Sequence, residues 1–309
     1  MAPPHQLFAD SLEPSGTVAQ SGTVEYAVVD VFASEPLNGN PLAVFLDGRG
    51  LSVEKMQAIA GELSLSETVF LLPAQRGGTC LVRIFTPTTE LPFAGHPVLG
   101  AAFIVAESLR ASAVLLETGL GAINVELERD QSRLVFGWMR QPIPSPEPYP
   151  RASELLAALG VSASELPVEL YRNGPNHVLV MLASPGAIQA LRPDLSSLAR
   201  HLGVAVSCFA RAGDHWKTRM FAPSLGVNED PATGSAAGPL ALHLARHGQI
   251  AFGEEIEIHQ GAEIERPSVL HARVTGTAAS IERVEVGGSA VVVARGHYLV
   301  SSARRRAEA

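Results

Sequence analysis

Two stretches of this chain constrain its fold more than any others. They are "PVLGAAFIVA", residues 97–106, and "SAAGPLALHLA", residues 235–245. Each is long enough for a helix and has almost nothing polar on any side. A helix apolar all round must be enclosed on all sides. Neither stretch approaches the roughly 20 apolar residues of a membrane span, so the enclosure has to be protein. Most of the remaining sequence reads as strands, among them "VEYAVVDVFA", "ETVFLLP", "CLVRIFTP", "HVLVMLA" and "HWKTRMFAP". Each greasy helix is therefore expected inside a curved sheet. Composition agrees: 46% hydrophobic and 17% charged residues suit a well-buried globular protein. The net charge of −8 gives no basic surface for nucleic acid or a membrane face, so neither partner is expected.

The two halves echo one another. "IFTPTTELPFAGHPVLGAA" and "MFAPSLGVNEDPATGSAAGPLA" both run Phe-x-Pro, an acidic residue, small residues with Gly, then the apolar helix. A duplicated unit predicts this order, with two equivalent helix mouths. The fold expected is α+β, two similar domains, each a curved β-sheet or barrel wrapped around a central apolar helix. A proline-rich stretch at residues 140–151, "RQPIPSPEPYPR", reads as a linker rather than a core strand and marks the boundary. The organisation expected is an extension over residues 1–22, one domain over 23–145, a second over 146–300 and a tail over 301–309. The last strands are left free to return to the first domain. The first 22 residues lack a secretory signal, and a cytoplasmic location is expected.

Helix N-termini carry unpaired N–H groups and a partial positive charge. If the two mouths face each other, they form one site suited to an anion. Gly95 and Gly234 remove side-chain bulk where a ligand would approach, and Pro97 fits a first helical turn. The polar residues near the mouths are His96, Asp230, Thr233 and Ser235, with Glu90 and Glu229 as further candidates. A plainer reading makes Thr233 and Ser235 helix caps and Asp230–Pro231 a turn. Glu67, at the head of "ETVFLLP", is either an edge or capping residue or a carboxylate facing an apolar pocket. Burial would then raise its pKa toward the range useful for proton transfer. Glu90 is expected to tie its loop down, and Asn38-Gly39-Asn40-Pro41 to form a turn that could line a pocket wall.

Other chemistries find little support. The sequence has no phosphate loop, no dinucleotide fingerprint, no H-E-x-x-H and no paired CxxC. No metal is expected; His243 and His247 have ligand spacing on a helix but read as a surface-facing pair. Cys80 and Cys208 lie in apolar runs and read as core thiols. A two-thiol epimerase would need a cysteine at each mouth, which neither supplies. A serine hydrolase using Ser235 would lack its G-x-S-x-G elbow. A non-catalytic binding protein would not need the polar set around the cleft.

The segments "GNPLAVFLDG", "MQAIAGELSLSETVFL", "RIFTPTTELPFAGHPVLGAA", "YRNGPNHVLV" and "EDPATGSAAGPLALHLARHGQI" resemble the PhzF family of phenazine biosynthesis, a family similar in fold to diaminopimelate epimerase. The resemblance covers the chain from about Val24 to Val300. It implies a cofactor-free, homodimeric isomerase acting on a small molecule, trans-2,3-dihydro-3-hydroxyanthranilate, which it converts to an aminoketone. It also implies roles for particular residues: Glu67 as the acid/base, His96 and Asp230 as catalytic partners, and Gly95, Gly234 and Ser235 as substrate-binding groups.

Overall fold

The computed structural model of the chain describes residues 22–300; the expectations placed on residues 1–21 and 301–309 lie outside the described residues. The first unit opens with the antiparallel hairpin of β1 (Thr23–Val31) and β2 (Asn40–Phe45). Gly39 turns it with φ +70°, where a Cβ would collide with the Val31 carbonyl. Helix α1 (Val53–Leu63) is capped by Ser52, whose Oγ accepts from the Lys55 N–H. It leads to β3 (Glu67–Leu72), parallel to β2. Next come β4 (Cys80–Phe85), the short β5 (Glu90–Leu91) and helix α2 (Gly95–Leu109). Then β6 (Ala113–Thr118) pairs parallel to β4, followed by antiparallel β7 (Gly121–Asp130) and β8 (Arg133–Gln141).

The second unit repeats this succession. After β9 (Ser145–Pro148) and helix α3 (Ala152–Leu159), β10 (Glu169–Arg172) and β11 (Asn176–Met181) form an antiparallel hairpin. Two short helices, α4 (Pro185–Ala190) and α5 (Leu195–Leu198), lead to β12 (Ala205–Ala212), parallel to β11. Then follow β13 (His215–Ala222), the short β14 (Val227–Asp230) and helix α6 (Gly234–Arg246). β15 (Glu255–Gln260) pairs parallel to β13, and β16 (Ser268–Thr277) and β17 (Ser280–Gly288) close the unit. The parallel and antiparallel pairings fall at the same places in both halves, as a duplicated unit requires.

The halves are joined twice over. β8 pairs antiparallel with β17, with Met139 opposite Val286. The strand after each unit then crosses to the other: β9 pairs with β10, and β18 (Ala290–Leu299) pairs with β1. The proline-rich stretch is therefore not a plain linker. Its Ser145–Pro148 segment is an edge strand, where missing N–H donors do no harm. Arg151 holds the N-cap position of α3 with no side-chain cap bond, and Gly160 ends the helix at φ +73°.

Both apolar helices are enclosed. Every residue of α2 from Gly95 to Ala106 and of α6 from Gly234 to Ala245 is buried. α2 packs on β1, β2, β3, β6, β7 and β8, and α6 on β11, β16 and β17. Burial of Leu99, Val98, Ile104 and their neighbours supplies about 1.5–3 kcal/mol per large side chain. α2 also touches α6, so the two lobes meet at their central helices.

Candidate active site

The helix N-termini meet end to end. A Cβ on Gly95 would collide with the Ser235 N and the Gly234 carbonyl carbon, and one on Gly234 would lie 3.1 Å from the His96 N. Only glycine lets the two backbones approach so closely. The N–H groups of Gly95, His96, Gly234 and Ser235 have no acceptor among the described residues. Two positive helix ends face one another here, an unfavourable pairing that an anion bridging them relieves. The adjoining cleft holds a cavity of about 210 Å³, lined by Glu67, Gly95, His96, His177, Asp230, Thr233, Gly234 and Ser235 among others. That volume suits one substituted six-membered ring rather than a drug-sized ligand. A larger hollow of about 500 Å³, beside Phe32, Glu35 and His271, contains none of the expected site residues.

Thr233 stands at the cap position of α6 but does not cap it. Its Oγ1 donates instead to Asp230 Oδ2 at 2.6 Å. Asp230 Oδ1 accepts from Ser66 Oγ at 3.0 Å and from Asn40 Nδ2 at 2.9 Å, and Gln260 Nε2 holds the Asp230 carbonyl at 2.8 Å. Burial nevertheless dominates these three donors and raises the Asp230 carboxyl to about 6.

Glu67 opens β3 and reaches the same cleft, its side chain 15% exposed. Burial, and then the charge of Asp230, push its carboxyl well above the usual carboxylate range. The two carboxyls titrate as a pair, because ionising one raises the other. Glu67 Oε2 lies 3.5 Å from His96 Nε2. This is not an ion pair, since burial pushes His96 down to about 3 and leaves the imidazole neutral. Asn40 Nδ2, 3.3 Å from His96 Nδ1, gives its two hydrogens to Asp230 Oδ1 and the Ala232 carbonyl and accepts nothing, so a proton on Nδ1 would point at a donor; Nδ1 is the bare nitrogen and Nε2 carries the proton. At 3.5 Å the gap is too long for a sound hydrogen bond. Both Glu67 Oε2 and His96 Nε2 are buried without a partner among the described residues, two polar atoms facing the same small gap.

Glu67, Gly95, His96, Asp230, Gly234 and Ser235 thus all line one cavity. Glu90 and Glu229 do not act there. Glu90 forms a two-pronged pair with Arg83 on the β4–β5 hairpin, and Glu229 forms one with Arg219. The expected set omits Asn40, Ser66, His177 and Gln260. The Asn-Gly-Asn-Pro turn and the Ser-Glu-Thr run placed two of them in view; nothing local marked His177 or Gln260.

The His243–His247 pair is not surface-facing. His243 is fully buried, and both rings approach Glu169 Oε2 at 3.1 Å. Among the described residues this is a three-group cluster with metal-compatible spacing. Arg246 and the Tyr171 hydroxyl donate to the same oxygen at 2.8 and 2.9 Å, which makes it a hydrogen-bonded ion network in this structure. Cys80 and Cys208 are buried free thiols that do not line the cleft, and burial raises Cys208 to about 12.

Fold and cleft define the class: an epimerase-like α+β protein whose paired helix ends enclose a cleft with two buried carboxyls. The family model for phenazine biosynthesis-like proteins, PhzC-PhzF, matches residues 29–296. The chain belongs to that family. It is 52% identical over 271 residues to the trans-2,3-dihydro-3-hydroxyanthranilate isomerase of Pseudomonas aeruginosa, covering 88% of this chain and 98% of that one. The structure of a predicted epimerase from Pseudomonas aeruginosa superposes with a TM-score of 0.77 at 34% identity, over 90% of this chain and 100% of that one. A hydroxyproline epimerase from Agrobacterium vitis shares the fold, with a TM-score of 0.66 at 12% identity over 92% of this chain and 93% of that one.

Proposed function

We propose that this chain is a trans-2,3-dihydro-3-hydroxyanthranilate isomerase of phenazine biosynthesis, with Glu67 as its proton carrier. Its likeness to curated isomerases of that name, at 52% identity across nearly the whole of their length, supports the reaction. The observation that carries the mechanism is the unpaired Glu67 carboxyl, its basicity raised by burial, beside two helix ends that await an anion.

The substrate carboxylate docks at the N–H groups of Gly95, His96, Gly234 and Ser235. Its ring then lies against Glu67. The carboxylate of Glu67 removes the hydrogen from the ring carbon bearing the hydroxyl, and the electron pair of that C–H bond moves into the diene. The same carboxyl, now protonated, delivers the proton to the ring carbon bearing the carboxylate. The enol left behind tautomerises to the ketone. One proton leaves, one arrives, and the ring is neither oxidised nor reduced. Both carbons present one face, so a single group serves as base and then acid. Neutral His96 donates from Nε2–H, and Asp230 holds the amine or hydroxyl.

Homodimer formation and a cytoplasmic location belong to the same proposal, as does a division into two domains near residue 145 with β18 returned to the first. The test is turnover: purified protein mixed with dihydro-hydroxyanthranilate and followed by proton NMR. Formation of the aminoketone is expected. An unchanged substrate refutes the reading. Sedimentation velocity tests the dimer.

A further inference from the structure

One buried titratable group in the cleft has no part in the proton transfer. His177, the second residue of β11, is 1% exposed and lines the cavity beside the α6 mouth. Its Nε2 lies 3.1 Å from Ser235 Oγ, and Ser235 Oγ has no other partner among the described residues. The other ring nitrogen, Nδ1, is buried and unpaired.

The two tautomers differ in what they leave unpaired. With the proton on Nδ1, a buried N–H is orphaned, and the Ser235 O–H has to turn toward Nε2. With the proton on Nε2, only a lone pair is orphaned, and Nε2–H donates to Ser235 Oγ. Orphaned buried donors are rarer in folded proteins than under-satisfied acceptors, which favours the second arrangement. Burial also pushes the imidazole down to about 4, so the doubly protonated ring is excluded near neutral pH. The Ser235 hydroxyl then has its proton free.

We propose that His177 is a positioning residue: its Nε2–H donates to Ser235 Oγ and turns the hydroxyl proton into the cleft, toward a carboxylate held at the helix mouths. This rests on the reading that the substrate carboxylate docks there. It adds a fifth donor to the four backbone N–H groups and biases the mouth toward ligands that only accept. The first unit has no counterpart: Leu42 pairs with the first residue of β3 as His177 pairs with the first residue of β12, so an apolar side chain stands at the equivalent place.

The test is calorimetric binding of 2-amino-3-hydroxybenzoate, an aromatic carboxylate of the substrate's shape. Wild type, His177→Leu, Ser235→Ala and the double variant are compared. Each single change is expected to weaken binding about 10-fold, and the double change no more than about 10-fold, because His177 acts only through Ser235. His177→Gln, whose amide can donate in place of Nε2–H, should stay within about 3-fold of wild type. Losses that multiply to about 100-fold, or a His177→Leu protein that binds like wild type, overturn the proposal. Nitrogen NMR of the wild-type imidazole needs no variant: a protonated Nε2 and bare Nδ1 are expected, and the reverse overturns it. None of these readouts uses turnover. A protein that binds in this pattern yet does not convert dihydro-hydroxyanthranilate refutes the isomerase reading and leaves the His177 relay standing. A wild type that ignores the carboxylate refutes both.

Discussion

The two helix mouths are built by the same succession of elements, yet they present different side chains. In the first unit Gly95 is followed by His96, and the neighbouring β3 opens with Glu67. In the second Gly234 is followed by Ser235, and the corresponding β12 opens with Ala205 and Val206. The backbone is duplicated and the chemistry is not. Paired N–H groups are enough to hold an anion on the shared axis, and both mouths supply them. Proton transfer needs a titratable group on only one side. An epimerase working from both faces of a carbon wants a base and an acid on opposite sides. Here Asp230, the second unit's carboxylate, is hydrogen-bonded to Ser66 and Asn40 of the first, on the Glu67 side of the cleft. The asymmetry therefore favours a one-face hydrogen transfer.

Disturbing the backbone shared by the two mouths is expected to have the largest effect. Gly95→Ala sets a Cβ against the Gly234–Ser235 backbone. It is expected to abolish carboxylate binding by calorimetry and to destabilise the fold by about 3 kcal/mol or more in chemical denaturation. Binding that survives would mean the mouths are not where the anion docks.

The asymmetric part is sharpened by Asp230→Asn. Removing that charge relieves the repulsion that helps hold the Glu67 carboxyl up. The acid limb of the kcat/KM profile should then move to lower pH, with turnover down about 100-fold. An acid limb that stays fixed or moves up would contradict the pairing of the two carboxyls.

A smaller effect concerns stability. The folded value of Glu67 lies above its unfolded value, so its contribution is fully present below the unfolded value and is lost as pH rises through the folded one. Glu67→Gln is therefore expected to be more stable than wild type at pH 8 by about 1–3 kcal/mol, with the gap closing by pH 5. Thermal unfolding at the two pH values checks this.

Much of the frame was legible in the sequence because it rests on local pattern. Helices α2 and α6 announce their burial by lacking a polar face, and Gly95 and Gly234 stand where the mouths need them. Features that depend on distant pairing were not legible. Ser145–Pro148 reads as a linker because its partner, β10, lies beyond a helix. His243 reads as exposed because Glu169 and Tyr171 are brought to it only by the sheet. Asn40 reaches Asp230 across 190 residues of chain. Thr233 looks like a cap at its position, and only the nearness of Asp230 redirects its hydroxyl.

The central claim is that Glu67 carries the proton while the paired mouths only hold the substrate. Glu67→Gln, assayed for turnover of dihydro-hydroxyanthranilate beside calorimetric binding of 2-amino-3-hydroxybenzoate, tests it most directly. Binding within about 3-fold of wild type and turnover down at least about 10³-fold are predicted. Turnover near the wild-type rate in a variant that binds normally would contradict the account.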